Sequence, residues 1–149
     1  RSRRTEMGGS SYAHELAMAV AFTSPYLCLG DDPRHYLASE AADLLRALPA
    51  VWDETIVLPP SAIGELVAVA RRRGDDWYVG VINGSEARQL TIPLDFLDAR
   101  PYELIELGDS DERSEALVRT QRTVGAGDRL AAPLRSDGGY VGWLQPAAR

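Results

Sequence analysis

The chain has 149 residues, 45% of them hydrophobic and 26% charged, enough for one ordinary domain and too few for a complete (β/α)8 barrel. This balance can bury a core and lacks the charge-rich, apolar-poor signature of a disordered chain. All 16 basic residues are arginine and the net charge is −6, so neither nucleic acid nor anionic lipid is an expected partner.

The single cysteine, Cys28, cannot form an internal disulfide. No stretch approaches the roughly 18 consecutive apolar residues that a bilayer-spanning helix needs, so a soluble chain with no membrane partner is expected. The first residue is Arg1, with no signal pattern behind it. The sequence therefore reads as a piece of something longer, whose targeting information is absent.

Arg1 to Ser11 is basic and then Gly/Ser-rich, with no periodicity, and reads as a loop. From Tyr12 to about Thr23 the residues are apolar nearly all round, with Leu16, Met18, Val20 and Phe22 interleaved with alanines. A helix of that kind must be covered on all sides, which implies neighbours that a small domain lacks. Ser24-Pro25 is expected to end it. A second helix is expected from Asp32-Pro33, where the carboxylate can cap and proline fits the first turn. Leu37, Ala41, Leu44, Leu45 and Leu48 continue it as one stripe to Pro49, with Ser39 a point at which it could break in two.

Beyond Pro49 the period becomes alternating. Strands are expected near 51–57, 65–72, 76–82, 87–92, 102–107, 116–124, 129–134 and 140–144. Turn signals such as Gly74-Asp75, Asn83-Gly84 and Asp137-Gly138-Gly139 separate them. Eight short strands at such spacing indicate an antiparallel β-sandwich or barrel.

No catalytic constellation emerges from the residues. His14-Glu15-Leu16-Ala17-Met18 begins like a zinc-protease helix, but a methionine stands where the second histidine is required. His14 therefore reads as a packed or hydrogen-bonded helix residue. Asp53 and Glu54 are adjacent on a strand, point to opposite faces and cannot converge on one atom. Asp75-Asp76, and Asp109, Asp111 and Glu112, lack the calcium-loop pattern and read as solvated turns. Arg71-Arg72-Arg73 reads as a charged sheet edge that discourages strand addition. Trp52, Trp77, Trp143, Tyr78 and Tyr102 could form a sugar platform but read as core. Cys28 reads as an inert, partly buried thiol.

Several ordered segments nevertheless resemble the C-terminal end of glycoside hydrolase family 97. They are Ala13-His14-Glu15-Leu16-Ala17-Met18-Ala19-Val20, then Ser24-Pro25, Asp32-Pro33 and Leu48-Pro49-Ala50-Val51-Trp52-Asp53-Glu54-Thr55. Gly64 through Gly80 follows, then Pro93-Leu94-Asp95-Phe96-Leu97 and the closing Gly138-Gly139-Tyr140. The chain departs from the family at Ser11-Tyr12, where Thr-Arg is usual, and at Tyr26-Leu27-Cys28, where Leu-Gln is usual.

The resemblance implies two parts. Residues 1–49 would be the helical end of a truncated catalytic barrel, and residues 50–149 a C-terminal β-sandwich. It implies a non-catalytic region of an enzyme that cleaves α-glycosidic bonds, an α-glucosidase or α-galactosidase. The alternatives are a carbohydrate-binding module and a free-standing interaction domain. The implied partners are the chain's own missing barrel and further copies of itself, with α-linked oligosaccharide met only through the parent. Catalytic, cofactor-binding and metal residues are none in this chain, and calcium is implied for the parent alone. The parent's cellular address is open, a secreted or periplasmic one being the location weighed.

Overall fold

The computed structural model describes residues 9–148 except 23, 25, 27, 29, 31 and 60. Three helices, α1 (Tyr12–Ala21), α2 (Pro33–Leu37) and α3 (Ala42–Ala47), precede eight strands. The strands are β1 (Glu54–Val57), β2 (Leu66–Arg73), β3 (Asp76–Asn83), β4 (Arg88–Pro93), β5 (Tyr102–Asp109), β6 (Leu117–Val124), β7 (Arg129–Leu134) and β8 (Gly139–Pro146). The fold is mainly β and antiparallel throughout, as the periodicity predicts. Six strands form one sheet in the order β1-β2-β3-β8-β5-β6, and β4 pairs with β7 in a second. The largest strand-boundary error falls at the start of β1, expected at Val51 and found at Glu54.

The central strands are not alternating, because the six-stranded sheet is covered on both faces. On one face Ala68, Ala70, Trp77, Val79, Val81, Leu104, Tyr140 and Leu144 pack on Ile92, Leu130, Ala132 and Leu134 of the small sheet. On the other, Tyr78, Ile105, Leu107, Val141 and Trp143 pack on Ala13, Leu16, Ala17 and Val20 of α1 and on Leu44 of α3. Strands buried on both faces read as near-continuous apolar runs, and the run through β3 and β8 has this cause. The β2–β3 hairpin turns at Gly74-Asp75. Gly74 has φ +59° and Asp75 does not share the left-handed region, the type II′ pattern that suits strand twist.

The expectation that α1 lacks neighbours is corrected here. Leu16, Val20 and Leu44 are at most 3% exposed, each contributing roughly 1.5–3 kcal/mol of burial, and the chain's own sheet supplies the cover. Phe22 stays 56% exposed and Leu48 half-buried, so only part of the stripe is left uncovered. The second helical stretch is two helices. The Ser39 hydroxyl accepts a hydrogen bond from the Ala41 N–H at 3.0 Å, a local turn that competes with continued helix. The break turns Leu37 out to 60% exposure. Thr23 and Pro25 of the expected α1 stop, and Arg1 to Gly8 of the expected opening loop, lie outside the described residues.

Candidate interaction surface

Helix α1 is seated on the sheet through two glycines. A Cβ on Gly139 of β8 would stand 2.5 Å from His14 Cα and 2.6 Å from the Ala13 carbonyl oxygen. A Cβ on Gly80 of β3 would stand 3.0 Å from Val20 Cβ. Alanines on the helix and glycines on the strands thus let two backbones approach closely.

The N-terminus of α1 is tied to the sheet by one buried carboxylate. The Ser11 hydroxyl caps the helix by accepting from the His14 N–H at 3.1 Å, and donates to Asp109 Oδ1. Asp109, 8% exposed, also accepts from the backbone N–H of Arg135 at 3.0 Å and of Gly139 at 3.1 Å. One side chain at the end of β5 therefore joins the helix cap to the β7–β8 connection. At the other end of α1, Arg71 donates to the Phe22 carbonyl at 3.1 Å and lies 5.5 Å from the centre of the Trp52 ring. A cation at a helix C-terminus satisfies orphan carbonyls and complements the dipole. Burial pulls the Arg71 guanidinium below its ordinary pKa.

Helix α3 is held by Leu44 and by an ion pair, Arg119 to Asp43 at 2.6 Å. Hydrogen bonds from Arg119 hold the Asp43 carboxyl below its ordinary value. The stabilisation from this pair is present above the unfolded carboxylate pKa and is lost as pH falls through the lowered folded value. Both groups are partly exposed, so the pair is worth little.

Between α1, α2 and α3 an open groove of about 320 Å3 remains, lined among others by Tyr12, Met18, Phe22, Tyr26, Tyr36 and Leu45. It is apolar with aromatic walls and one carboxylate, Glu15. Exposed apolar surface of this kind suits contact with another polypeptide.

Most residues singled out in the sequence have structural duties. His14 Nδ1 lies 3.2 Å from the Gly138 carbonyl oxygen, in keeping with a hydrogen-bonded helix residue. Asp53 takes Arg73 and the Gly74 N–H, and Glu54 takes Arg72. Asp75 pairs with Arg100 at 2.8 Å, and Asp76 accepts from the Trp143 indole at 3.1 Å. The aromatic faces are used within the chain, Trp77 on Phe96, Tyr102 under Arg100 and the other three on one another. Tyr78 meets Trp52 edge-on at 5.2 Å and stacks on Trp143 at 6.0 Å. Burial pushes the Tyr78 phenol up to about 12.

Three expectations are corrected. Arg71, Arg72 and Arg73 lie on β2, which is interior to the sheet, and Arg71 is only 3% exposed, so the run guards no edge. Asp109 is a buried structural carboxylate rather than a solvated turn residue. Cys28 is exposed and is not partly buried.

Among the described residues no three metal-ligating side chains converge. The Asp109 oxygens are filled by O–H and N–H donors, which is the opposite of what a cation needs. No helix among the described residues is long and apolar enough to cross a membrane.

The family model described as "Glycosyl-hydrolase 97 C-terminal, oligomerisation" matches residues 51–145. A retaining alpha-galactosidase of Bacteroides thetaiotaomicron is 38% identical over 97 residues, 64% of this chain and 14% of that protein. A probable retaining alpha-galactosidase of Streptomyces bingchenggensis is 33% identical over 133 residues, 89% of this chain and 20% of that protein. Among solved structures, a glycoside hydrolase family 97 enzyme from a Pseudoalteromonas species, in complex with acarbose, superposes with a TM-score of 0.87 at 29% identity. That match covers 95% of this chain and 23% of the enzyme, so the chain spans less than a quarter of each of these relatives. By the match over most of its strands and the likeness of its fold, this chain belongs to the C-terminal, oligomerisation family of glycoside hydrolase 97.

Proposed function

We propose that this chain is the non-catalytic C-terminal region of a longer α-glycosidase, supporting an upstream catalytic barrel and mediating contact between copies. The observation that carries the barrel-supporting part of this reading is the apolar groove across α1, α2 and α3, on a chain that otherwise buries its core well, and the oligomerisation in the family's description supports the contact between copies. Residues 50–149 form the C-terminal sandwich in this account, and residues 1–49 are the end of the barrel layer, docked on the sheet. The start of the family match at Val51 supports that division.

The parent would cleave an α-galactoside or an α-glucoside, the first favoured by the names of both curated relatives. Its catalytic carboxylates and calcium ligands belong to upstream sequence, and a secreted or periplasmic location suits an enzyme acting on oligosaccharides. No catalytic role falls to this chain, because its buried carboxylate is consumed by structural donors and its exposed ones are spread over turns and strand edges. A retaining mechanism needs two carboxyl groups about 5–5.5 Å apart across one bond, whereas the groove described above is lined by one carboxylate, Glu15.

The pure chain is expected to leave nitrophenyl α-galactoside and α-glucoside unhydrolysed. Its tryptophan fluorescence is expected to stay flat on titration with maltose or melibiose, since Trp77 and Trp143 are buried and the half-buried Trp52 is engaged by Tyr78 and Arg71. Hydrolysis above the buffer blank would overturn the non-catalytic assignment. A saturable fluorescence shift would favour a carbohydrate-binding module instead.

A further inference from the structure

The two edges of the six-stranded sheet are built differently. β1 has four residues, is led in by Asp53, which is tied to the β2–β3 turn, and is followed after Leu58 by Pro59. Short length, charge and a flanking proline are common ways to blunt an edge. β6 has eight residues without proline, and its outer side pairs with no strand among the described residues. Val118, Thr120, Gln121, Arg122 and Thr123 along it are exposed.

Arginines would ordinarily protect such an edge, but both of those on β6 are drawn away. Arg119 donates to both Asp43 oxygens, at 2.8 and 2.6 Å. Arg122 donates to Glu106 at 3.1 Å. The edge is left long, β-prone and locally neutralised, which is how a strand that pairs with another strand is built. In the small sheet, β7 is interrupted by Pro133 and β4 closes on Pro93, so neither offers a comparable run.

We infer that β6 is the contact between copies, pairing antiparallel with β6 of a second copy about a two-fold axis at Gln121, so that two six-stranded sheets join into one. This rests on the oligomerisation reading above and adds the surface. Paired residues must lie on the same face, so a two-fold axis normal to the sheet places one residue opposite its own copy. With Gln121 there, Val118 faces Val124, Arg119 faces Thr123 and Thr120 faces Arg122. No arginine stands directly opposite another, and the apolar ends meet each other. A two-fold at Thr120 would set Val118 against Arg122 and Leu117 against Thr123, which loses the apolar match.

The test uses the 149-residue chain, sedimentation velocity, and the variants Gln121→Lys and Gln121→Glu. Position 121 is exposed, so both variants should keep the parent circular dichroism and unfolding midpoint. The unchanged chain should sediment as a dimer. Each variant alone places like charges opposite one another, and its dimer should be weaker by roughly tenfold or more. An equimolar mixture of the two should recover the dimer as the mixed species. A dimer indifferent to both variants, strengthened by Gln121→Glu alone, or dispersed only by Phe22→Glu in the groove would overturn the β6 assignment and leave oligomerisation standing. A monomer at every concentration would overturn the oligomerisation reading itself.

Discussion

Gly139→Val should release α1 from the sheet. A side chain at this position meets main-chain atoms of Ala13 and His14 at 2.5–2.6 Å, and helical backbone cannot turn aside as a flexible side chain can. The helix must lift or the strand must bow. Overpacking of this kind costs about 1–3 kcal/mol, and the rigid partner places Gly139→Val at the upper end. At roughly 2–4 °C per kcal/mol for a chain of this size, the unfolding midpoint should fall by several degrees. Helix release should also expose Leu16, Val20 and Tyr78 together, so binding of a hydrophobic dye should rise in the folded baseline. Gly125→Ala is the control, because nothing lies within 4 Å of a Cβ there, and it should change neither readout.

Asp109→Ala should destabilise the chain more than any surface substitution. It strips the acceptor from the Ser11 hydroxyl and from the Arg135 and Gly139 N–H groups at once. Each buried donor left unmet costs about 1–3 kcal/mol, and the summed loss should be roughly 3–5 kcal/mol by chemical denaturation. Asp109→Asn keeps the shape and one carbonyl oxygen. With that carbonyl at the Oδ2 position the Arg135 and Gly139 N–H groups keep their acceptor, while Ser11 loses the acceptor for its hydroxyl proton and must turn to accept from the new amide, so the loss should be smaller but still measurable. Equal stability of the alanine variant and the parent would remove Asp109 from its place at the junction of cap, strand and loop.

These two sites also mark where the sequence was legible and where it was not. The strands and their turns follow from alternation in the outer strands, from short apolar runs in β3 and β8, and from turn chemistry at Gly74-Asp75 and Asn83-Gly84, because those signals are local. The seat of α1 is not local. Gly80 stands alone inside an apolar strand run, and a lone glycine in a strand is a sign of close backbone approach, but nothing in the spacing says that the approaching chain is the helix 60 residues earlier. The all-apolar pattern of α1 was readable as burial and ambiguous as to the partner. The sheet's second face takes Leu16 and Val20, and the groove keeps Phe22 for something else.

Asp109 was hidden for a similar reason. An aspartate after Gly108 in an acidic stretch has the composition of a turn, and only the tertiary meeting of Ser11, Arg135 and Gly139 makes it an interior acceptor. Arg71 was misread because a run of three arginines resembles a charged edge, while the sheet order puts its strand inside. Alternation puts neighbours in the run on opposite faces of the strand and says nothing of what covers them; one face lies under the C-terminus of α1 and the Trp52 ring.

The claim that the groove is a seat for upstream polypeptide can be measured at Cys28, the chain's single cysteine, which is exposed and lines that groove. Thiol labelling followed by peptide mass spectrometry compares this chain with the longer parent polypeptide under the same conditions. The account predicts rapid labelling here and labelling slower by about an order of magnitude or more in the folded parent, as local opening would have to precede reaction. Equal rates in the two would contradict it, because the groove would then be as open in the whole protein as it is in this chain.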